Sequence, residues 1–286
     1  MIGVDIGGTN LLVGRIEDGS VVERSHTEVA SGRDPETVVE QVCEQILAID
    51  SQHVEPIGIA VAGSVDCTNG IVLRAQNLDW DNVPLASMVS KKLGCNVVVE
   101  NDVTAAAWGE FSHGAGIDYT SLFAVWVGTG IGGGLVLDRK LWRGPLGTAG
   151  EFGMSISSPE LSAIPLRKLE SIASRNGIQH VLGDPDLTTN KISQGYANND
   201  RNIVNAVNQS ARRIGTGIAN VVTLLSLDCV VLGGGLVESL GDPYVGLIRN
   251  QFEADVFPEH CKQCEIVSTE LGPDAGLLGA ASLASA

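Results

Sequence analysis

The chain has 286 residues, of which 44% are hydrophobic and 18% are charged, and its formal net charge is −16. This composition predicts one large or two medium α/β domains with a substantial core, and it excludes a disordered chain. The acidic balance opposes binding to nucleic acid or to anionic lipid. No apolar run reaches the length of a membrane span, and residues 1–5 enter a strand without a basic segment ahead of them. We therefore expect a cytoplasmic protein without a signal peptide.

The first half of the chain predicts three antiparallel strands, a helix, a strand, a second helix and another strand, with a short additional strand at 71–73 before the second helix. Asp34-Pro35 is typical of a helix start, because Asp caps the first turn and Pro fits its first position. Runs of β-branched residues between Gly- and Asn-containing turns predict the strands. The predicted strands are 3–6, 11–16, 21–27, 57–61, 71–73 and 97–99, and the predicted helices follow Asp34 and Pro84.

The second half repeats this order. It predicts strands at 122–127, 134–137, 141–143, 228–232 and 265–270, a helix from Pro165, a long amphipathic helix over 203–225, and a C-terminal helix from Asp274. The segment 177–199 is polar and gives no clear pattern. Two similar halves predict two α/β lobes with a central cleft and a hinge. The expected small lobe is 1–113 plus 272–286, and the expected larger lobe is 114–271.

Three polar residues, Glu100, Asn101 and Asp102, lie where a buried strand of valines meets a helix rich in alanine. A carboxylate at the carboxyl end of such a strand faces the crevice in which open α/β sheets bind ligands. The helix N-terminus favours the ionised form of Asp102, which could then accept a proton. A simpler interpretation is that Asn101 or Asp102 only caps the helix.

Glycine-rich turns occupy matching places in the two halves. The turn at 7–10 follows Asp5, and the turn at 128–133 satisfies G-x-G-x-x-G. A strand, rather than the helix that a dinucleotide site requires, follows the second turn, and the chain has no P-loop motif. The backbone N–H groups of such turns can hold phosphate oxygens, and Asp5 could hold a hydrated Mg²⁺. A third glycine run, 233–235, joins a buried strand to a helix.

These motifs together resemble the ROK family of sugar kinases, which has the two-lobed actin-like ATPase (ribonuclease H-like) fold. The resemblance covers nearly the whole chain. It rests on the segments 3–10, 62–66, 77–80, 100–102, 126–134, 149–153, 232–235 and 275–280. It implies phosphoryl transfer from ATP, with Mg²⁺, to the 6-hydroxyl of a hexose, with Asp102 as the general base.

The resemblance also assigns the binding residues. It implies sugar binding by Gly63, Ser64, Asn77, Asn101, Asp102, Glu151 and Glu170. It implies ATP binding by Asp5, Gly7, Gly8, Thr9, Asn10, Gly128, Thr129, Gly130, Gly233, Gly234 and Gly235.

The chain departs from the family pattern at Met154. The family usually has a His here, which contacts the sugar and a structural zinc, and a Cys-rich zinc loop follows. Residues 155–164 contain neither Cys nor His, so no structural zinc is expected at this place. Cys261 and Cys264 form a lone CxxC pair, which is weak evidence for a metal site. Glucose is the first expected substrate, and N-acetylmannosamine, N-acetylglucosamine, fructose and glucosamine remain open.

Two functions of other classes compete with the kinase. A sugar-sensing regulator of the same family would need an N-terminal DNA-binding domain, and the first strand begins at Ile2. An actin-like filament or chaperone ATPase would not need Asn77, Asn101, Glu151 and Glu170 together. The expected partners are therefore a hexose and ATP, without nucleic acid or membrane. The resemblance implies a homodimer or homotetramer.

Overall fold

The computed structural model describes residues 1–51, 56–158, 160 and 167–285. The chain forms two compact units. The first consists of Met1–Ile117, Leu141–Ala149 and Pro273–Ala286, and the second of Asp118–Lys140 and Gly150–Gly272. Three segments of the chain thus form the first unit, which contains both the first strand and the last helix.

The first unit contains a five-stranded sheet with the order β3-β2-β1-β4-β8. The three strands of the N-terminal meander are antiparallel, whereas β1, β4 and β8 run parallel. This confirms the meander predicted from the sequence. The strands are β1 Ile2–Ile6, β2 Asn10–Glu17, β3 Ser20–Glu28, β4 Ile57–Val61 and β8 Val97–Asn101.

A second five-stranded sheet has the corresponding order, β11-β10-β9-β12-β13. Strands β9 and β10 are antiparallel, and β12 runs parallel to both β9 and β13. The sequence predicted two similar halves along the chain, and the two sheets confirm this similarity by their corresponding strand orders. The strands are β9 Leu122–Val127, β10 Ile131–Leu137, β11 Lys140–Trp142, β12 Cys229–Gly233 and β13 Glu265–Ser268.

A small antiparallel sheet, β5 Ser64–Asp66, β6 Ile71–Ala75 and β7 Trp80–Val83, lies within the first unit. The sequence predicted only its middle strand. The outer strands are three and four residues long, too short to show an alternating pattern of their own. The turn between β6 and β7 carries Asn77.

Two helix boundaries of the first unit lie at recognisable residues. Asp34 caps the first helix by accepting a hydrogen bond from Thr37 N at 3.1 Å, and Gly94 ends the second helix in a left-handed conformation with φ 72°. Both boundaries were predicted. The helices are α1 Pro35–Ile49, α2 Leu85–Leu93, α3 Asp102–His113 and α10 Ala275–Ala284.

The second unit contains the long helix α7, which confirms the amphipathic pattern. Two helices, α5 and α6, lie in the polar segment that gave no prediction. Pro165 lies outside the described residues, and α4 is the part of the expected helix that the described residues show. The helices are α4 Glu170–Ala173, α5 Arg175–Leu182, α6 Thr189–Ala197, α7 Arg201–Leu225, α8 Gly235–Leu240 and α9 Asp242–Asp255. Short 3-10 turns occur at Phe152–Met154, Glu259–Gln263 and Gly272–Asp274.

Close packing against α10 fixes the position of α3. A Cβ atom on Gly279 would lie 1.8 Å from Ala105 O, and one on Gly109 would lie 2.2 Å from Ala275 O. Only glycine permits backbones to approach this closely, so the two helices are held against each other. Because α3 begins at Asp102, this contact also fixes the carboxyl end of β8. In the described part of the chain, no helix is long and apolar enough to cross a bilayer.

Candidate active site

Asn101 and Asp102 lie at the carboxyl end of β8, and their side chains are hydrogen-bonded to each other. Asn101 Oδ1 accepts a hydrogen bond from Thr104 N at 2.9 Å, so Asn101 caps α3. Its Nδ2 donates to Gly63 O at 3.0 Å and to Asp102 Oδ1 at 2.9 Å. Asp102 Oδ1 also accepts from Val103 N at 2.9 Å. These bonds fix the orientation of the Asp102 carboxyl group.

The pKa values of Asp102 and Asp5 are both raised. Burial raises the pKa of Asp102, and it outweighs the hydrogen bonds from the Val103 and Asp102 N–H groups and from Asn101. Burial, followed by the negative charge of Asp102, raises the pKa of Asp5 to about 7. From the sequence, the helix N-terminus is expected to favour the ionised form of Asp102. The structure shows that desolvation has the larger effect.

The other predicted sugar-binding residues of the first unit lie on short connections. Gly63 follows β4 with φ 157°, and a Cβ atom there would lie 2.5 Å from Arg74 O. Ser64 begins β5, and its hydroxyl lies 3.4 Å from the same carbonyl. Asn77 is exposed in the turn before β7. The bond from Asn101 Nδ2 to Gly63 O joins this region to the end of β8.

The first glycine-rich turn is closed by a hydrogen bond from Gly7 N to Asn10 O at 2.9 Å. In the described part of the chain, the N–H groups of Gly8 and Thr9 donate to no protein acceptor. A Cβ atom on Gly8 would lie 2.7 Å from Asn77 Cβ, so the turn and Asn77 are in close contact. A cavity of about 480 Å³ lies beside the turn, lined by residues 8–9 and 28–33 and by Asp79.

The second glycine-rich turn has the same kind of closure, from Gly128 N to Gly130 O at 2.9 Å. The N–H of Arg175, at the start of α5, donates to Gly128 O at 2.9 Å and holds the turn in place. Within the described residues, the N–H groups of Thr129 and Gly130 have no protein acceptor. The strand that follows this turn confirms the hairpin interpretation.

Glu170 lies against the second turn. Its Oε2 accepts a hydrogen bond from Ile131 N at 2.8 Å, and a Cβ atom on Gly130 would lie only 2.3 Å from that oxygen. Glu151 precedes the 3-10 turn that ends at Met154. Met154 is 38% exposed, and its sulfur lies 3.3 Å from Lys168 Nζ.

Gly233, Gly234 and Gly235 join β12 to α8. A Cβ atom on Gly233 would lie 2.7 Å from the Trp126 ring, and one on Gly234 would lie 2.8 Å from the backbone of Val127. Gly234 also has φ 90°. The backbone of this junction therefore packs directly on the end of β9.

Two partners of Glu100, Arg143 and Cys67, were not identified from the sequence. Glu100, which is 3% exposed, accepts hydrogen bonds from Arg143 Nε at 2.6 Å and from Cys67 Sγ at 3.0 Å. Arg143 and Cys67 are distant from Glu100 along the chain, so no local pattern indicates this contact.

The glycine-rich turn of each unit, taken by itself, has donor groups that suit phosphate oxygens. Within the described residues its N–H groups have no protein acceptor, and in the first unit Asp5 lies on the strand before the turn. Mg²⁺ is usually bound by one or two carboxylates together with substrate phosphates, so it does not require a complete protein cage. Among the described residues, no group of three or more His, Cys, Asp or Glu side chains could hold a metal ion.

Comparison with known proteins establishes the class of this chain. A glucokinase of Streptomyces coelicolor is 30% identical over 99% of this chain and 96% of its own. The crystal structure of a ROK family glucokinase from Streptomyces griseus, in complex with glucose and AMPPNP, is 31% identical, covers 100% of this chain and 99% of its own, and has a TM-score of 0.84. The structure of a ROK hexokinase from Thermus thermophilus has a TM-score of 0.88 and is 26% identical. The match covers 100% of this chain and 97% of the hexokinase chain. The fold is thus the actin-like ATPase fold. The ROK family profile matches residues 1–286, and the chain belongs to the ROK family.

Other relatives carry different names. The N-acetylmannosamine kinase of Escherichia coli is 29% identical over 99% of this chain and 97% of its own. A putative xylose repressor of Caldicellulosiruptor is 28% identical over 99% of this chain and 77% of its own. The family therefore includes both kinases and regulators.

Proposed function

We propose that the chain is an ATP-dependent hexose kinase that phosphorylates the 6-hydroxyl of its sugar, with glucose as the first substrate. The observation that carries this proposal is the Asp102 carboxyl group at the end of β8. Its Oδ1 is held by Asn101 Nδ2 and Val103 N, at 2.9 Å each. A carboxyl group held in this way, with a raised pKa, suits a general base.

In the proposed reaction, Asp102 accepts the proton of the sugar 6-hydroxyl while that oxygen attacks the γ-phosphorus of ATP, and ADP leaves. Such a transfer needs positioning and charge stabilisation rather than a covalent enzyme intermediate. The N–H groups of Gly8, Thr9, Thr129 and Gly130 would hold the phosphates. Asp5 would hold Mg²⁺. When bound, this ion would neutralise negative charge on the phosphate oxygens.

Sugar recognition is assigned to Gly63, Ser64, Asn77, Asn101, Glu151 and Glu170. Several polar contacts to hydroxyl groups reject analogues that lack one of them, because a buried polar group would then be left unpaired. The hydrogen bonds that already orient Asn101 and Glu170 support this role. These residues favour a sugar kinase of carbohydrate metabolism, with a role in glycolysis.

N-acetylmannosamine is the second candidate substrate. Met154 stands where the family usually has a sugar-contacting His, and its thioether cannot donate a hydrogen bond. The relative from Escherichia coli that is named N-acetylmannosamine kinase supports the same alternative. N-acetylglucosamine, fructose and glucosamine remain in the set to be tested.

A coupled assay of ADP release tests the proposal. The purified protein is incubated with ATP and Mg²⁺ and with each of a panel of hexoses and amino sugars, and the phosphorylated position is determined by NMR. We expect sugar-dependent ADP release with glucose as the best substrate and phosphate on the 6-oxygen. ADP release that no sugar increases would favour an ATPase. No ADP release with any sugar, together with sugar binding, would favour a regulator.

A further inference from the structure

Glu100 is a charged residue in a buried place. Its exposed fraction is 3%, and β8 carries it directly before Asn101 and Asp102. A buried carboxylate is costly unless hydrogen bonds and an opposite charge compensate for the lost water. The partners of Glu100 therefore determine how the end of β8 is held.

Both carboxyl oxygens of Glu100 have such partners. Oε2 accepts a hydrogen bond from Arg143 Nε at 2.6 Å. Oε1 accepts from the Asn101 backbone N–H at 2.9 Å and from Cys67 Sγ at 3.0 Å. The bond to Arg143 is charge-assisted, which makes it shorter and stronger than one between neutral groups.

The Glu100 carboxylate thus links the Arg143 guanidinium to the backbone N–H of Asn101. Asn101 is held at its backbone by Glu100 and at its side chain by Gly63 O and Asp102 Oδ1. A rotation of the Glu100 carboxylate would release the Asn101 N–H and change the direction of the Asn101 side chain. The Asp102 carboxyl group would then lose one of the two bonds that orient Oδ1.

We propose that Arg143 and Glu100 form a positioning pair, in which the guanidinium holds the buried carboxylate so that Asn101 and Asp102 keep their orientation for proton acceptance. The inference rests on the proposed kinase function and adds two residues to it. Neither residue is placed in contact with sugar or ATP. Their effect is expected on kcat, because a small misplacement of the base slows the reaction more than it weakens binding.

The chain offers a matched control in Arg15. The side chains of Arg15 and Arg143 are both 34% exposed, and both form ion pairs. Arg15 pairs with Glu17 and Glu23, which are 56% and 48% exposed, whereas Glu100 is 3% exposed. Arg15→Met removes an equivalent arginine from the same unit without leaving a buried charge unpaired.

The test measures kcat and KM for ATP and for the best sugar in Arg143→Met, Glu100→Gln, the double variant and Arg15→Met, each corrected for the folded fraction. In Arg143→Met we expect kcat to fall by about tenfold to a hundredfold, the order of loss caused by small misplacement of a reacting group, with KM for ATP nearly unchanged. Glu100→Gln should give a similar fall. The double variant should lose little more than either single variant, because the two residues act as one unit. Arg15→Met should match the wild type.

Arg143→Lys provides a second measurement if Arg143→Met does not fold. Lysine keeps the positive charge and lacks the fixed Nε donor, so kcat should be intermediate. A kcat above half of the wild-type value in Arg143→Met or in Glu100→Gln would overturn the positioning pair. Additive losses in the double variant would overturn it as well. Such a result with an active wild type leaves the kinase function standing. A wild type that phosphorylates no sugar overturns the kinase function itself, and the positioning pair with it.

Discussion

Asn101 Nδ2 lies 2.9 Å from Asp102 Oδ1, and this bond shows how one junction serves both as a helix cap and as a candidate catalytic site. The Asn101 side chain caps α3 through Thr104 N. Asp102 is the first residue of the helix, and its carboxyl group is not the cap. The helix-cap interpretation therefore applies to Asn101, and the proposed catalytic base is its neighbour Asp102.

Replacement of Asp102 by Asn tests its role as the base. The amide keeps the size of the side chain and cannot accept the hydroxyl proton. We expect folding and sugar binding to change little and kcat to fall by about 10²- to 10⁴-fold, the usual contribution of a general base. The measurement is steady-state kinetics together with sugar affinity by calorimetry.

Asp18→Asn is a suitable control for that experiment. Asp18 lies in the exposed turn between β2 and β3 with φ 49°, a conformation that Asn adopts as readily as Asp. Its kcat should equal that of the wild type. Retention of more than about a tenth of wild-type turnover in Asp102→Asn would remove Asp102 from the role of base.

Asp5→Asn should change stability in a way that depends on pH. The pKa of Asp5 is raised from 3.8 to about 7 in the folded protein, so its ionisation destabilises the fold as pH rises through this interval. At pH 8 the variant should unfold at a higher temperature than the wild type. Its free energy of unfolding should be larger by an amount on the order of 4 kcal/mol, since each of the roughly three pKa units corresponds to about 1.4 kcal/mol. Near pH 4 the gain should disappear.

Thermal unfolding of both proteins across this pH range, without nucleotide or Mg²⁺, provides the measurement. The variant should also lose most of its kinase activity, because it lacks the carboxylate proposed to hold Mg²⁺. A stability difference of equal size at pH 4 and pH 8 would show that the negative charge of Asp5 is not its source.

Gly8→Ala should disturb Asn77. The new Cβ atom would lie 2.7 Å from Asn77 Cβ, which is tied to the backbone and cannot rotate away. The turn between β6 and β7 must then shift, and we expect KM for the sugar to rise by about tenfold, which corresponds to loss of one hydrogen bond. Gly246→Ala is the control, since a Cβ atom on Gly246 would meet nothing within 4 Å. Unchanged kinetics in Gly8→Ala would show that Asn77 is not a sugar ligand.

The sequence predicted the parts of the fold that local patterns determine. The meander, the long helix α7 and the helix start at Asp34 follow from residue periodicity and capping, and the structure confirms them. The site differs from the prediction where distant residues meet. Arg143 and Glu100 are 43 residues apart, and no local pattern pairs them. The pKa of Asp102 likewise depends on burial, which its neighbours in the sequence do not specify.

Activity should survive removal of tightly bound metal. Met154 replaces the usual His, residues 155–164 contain no Cys or His, and Lys168 Nζ lies 3.3 Å from the Met154 sulfur, where a positive charge opposes Zn²⁺. After incubation with a strong chelator and dialysis, addition of Mg²⁺ alone should restore full kcat. Metal analysis of the untreated protein should find much less than one zinc per chain. Irreversible loss of activity accompanied by stoichiometric zinc release would show that other ligands hold a structural zinc. Met154→His should not create zinc binding, because a single histidine supplies one of the four ligands that a structural site needs.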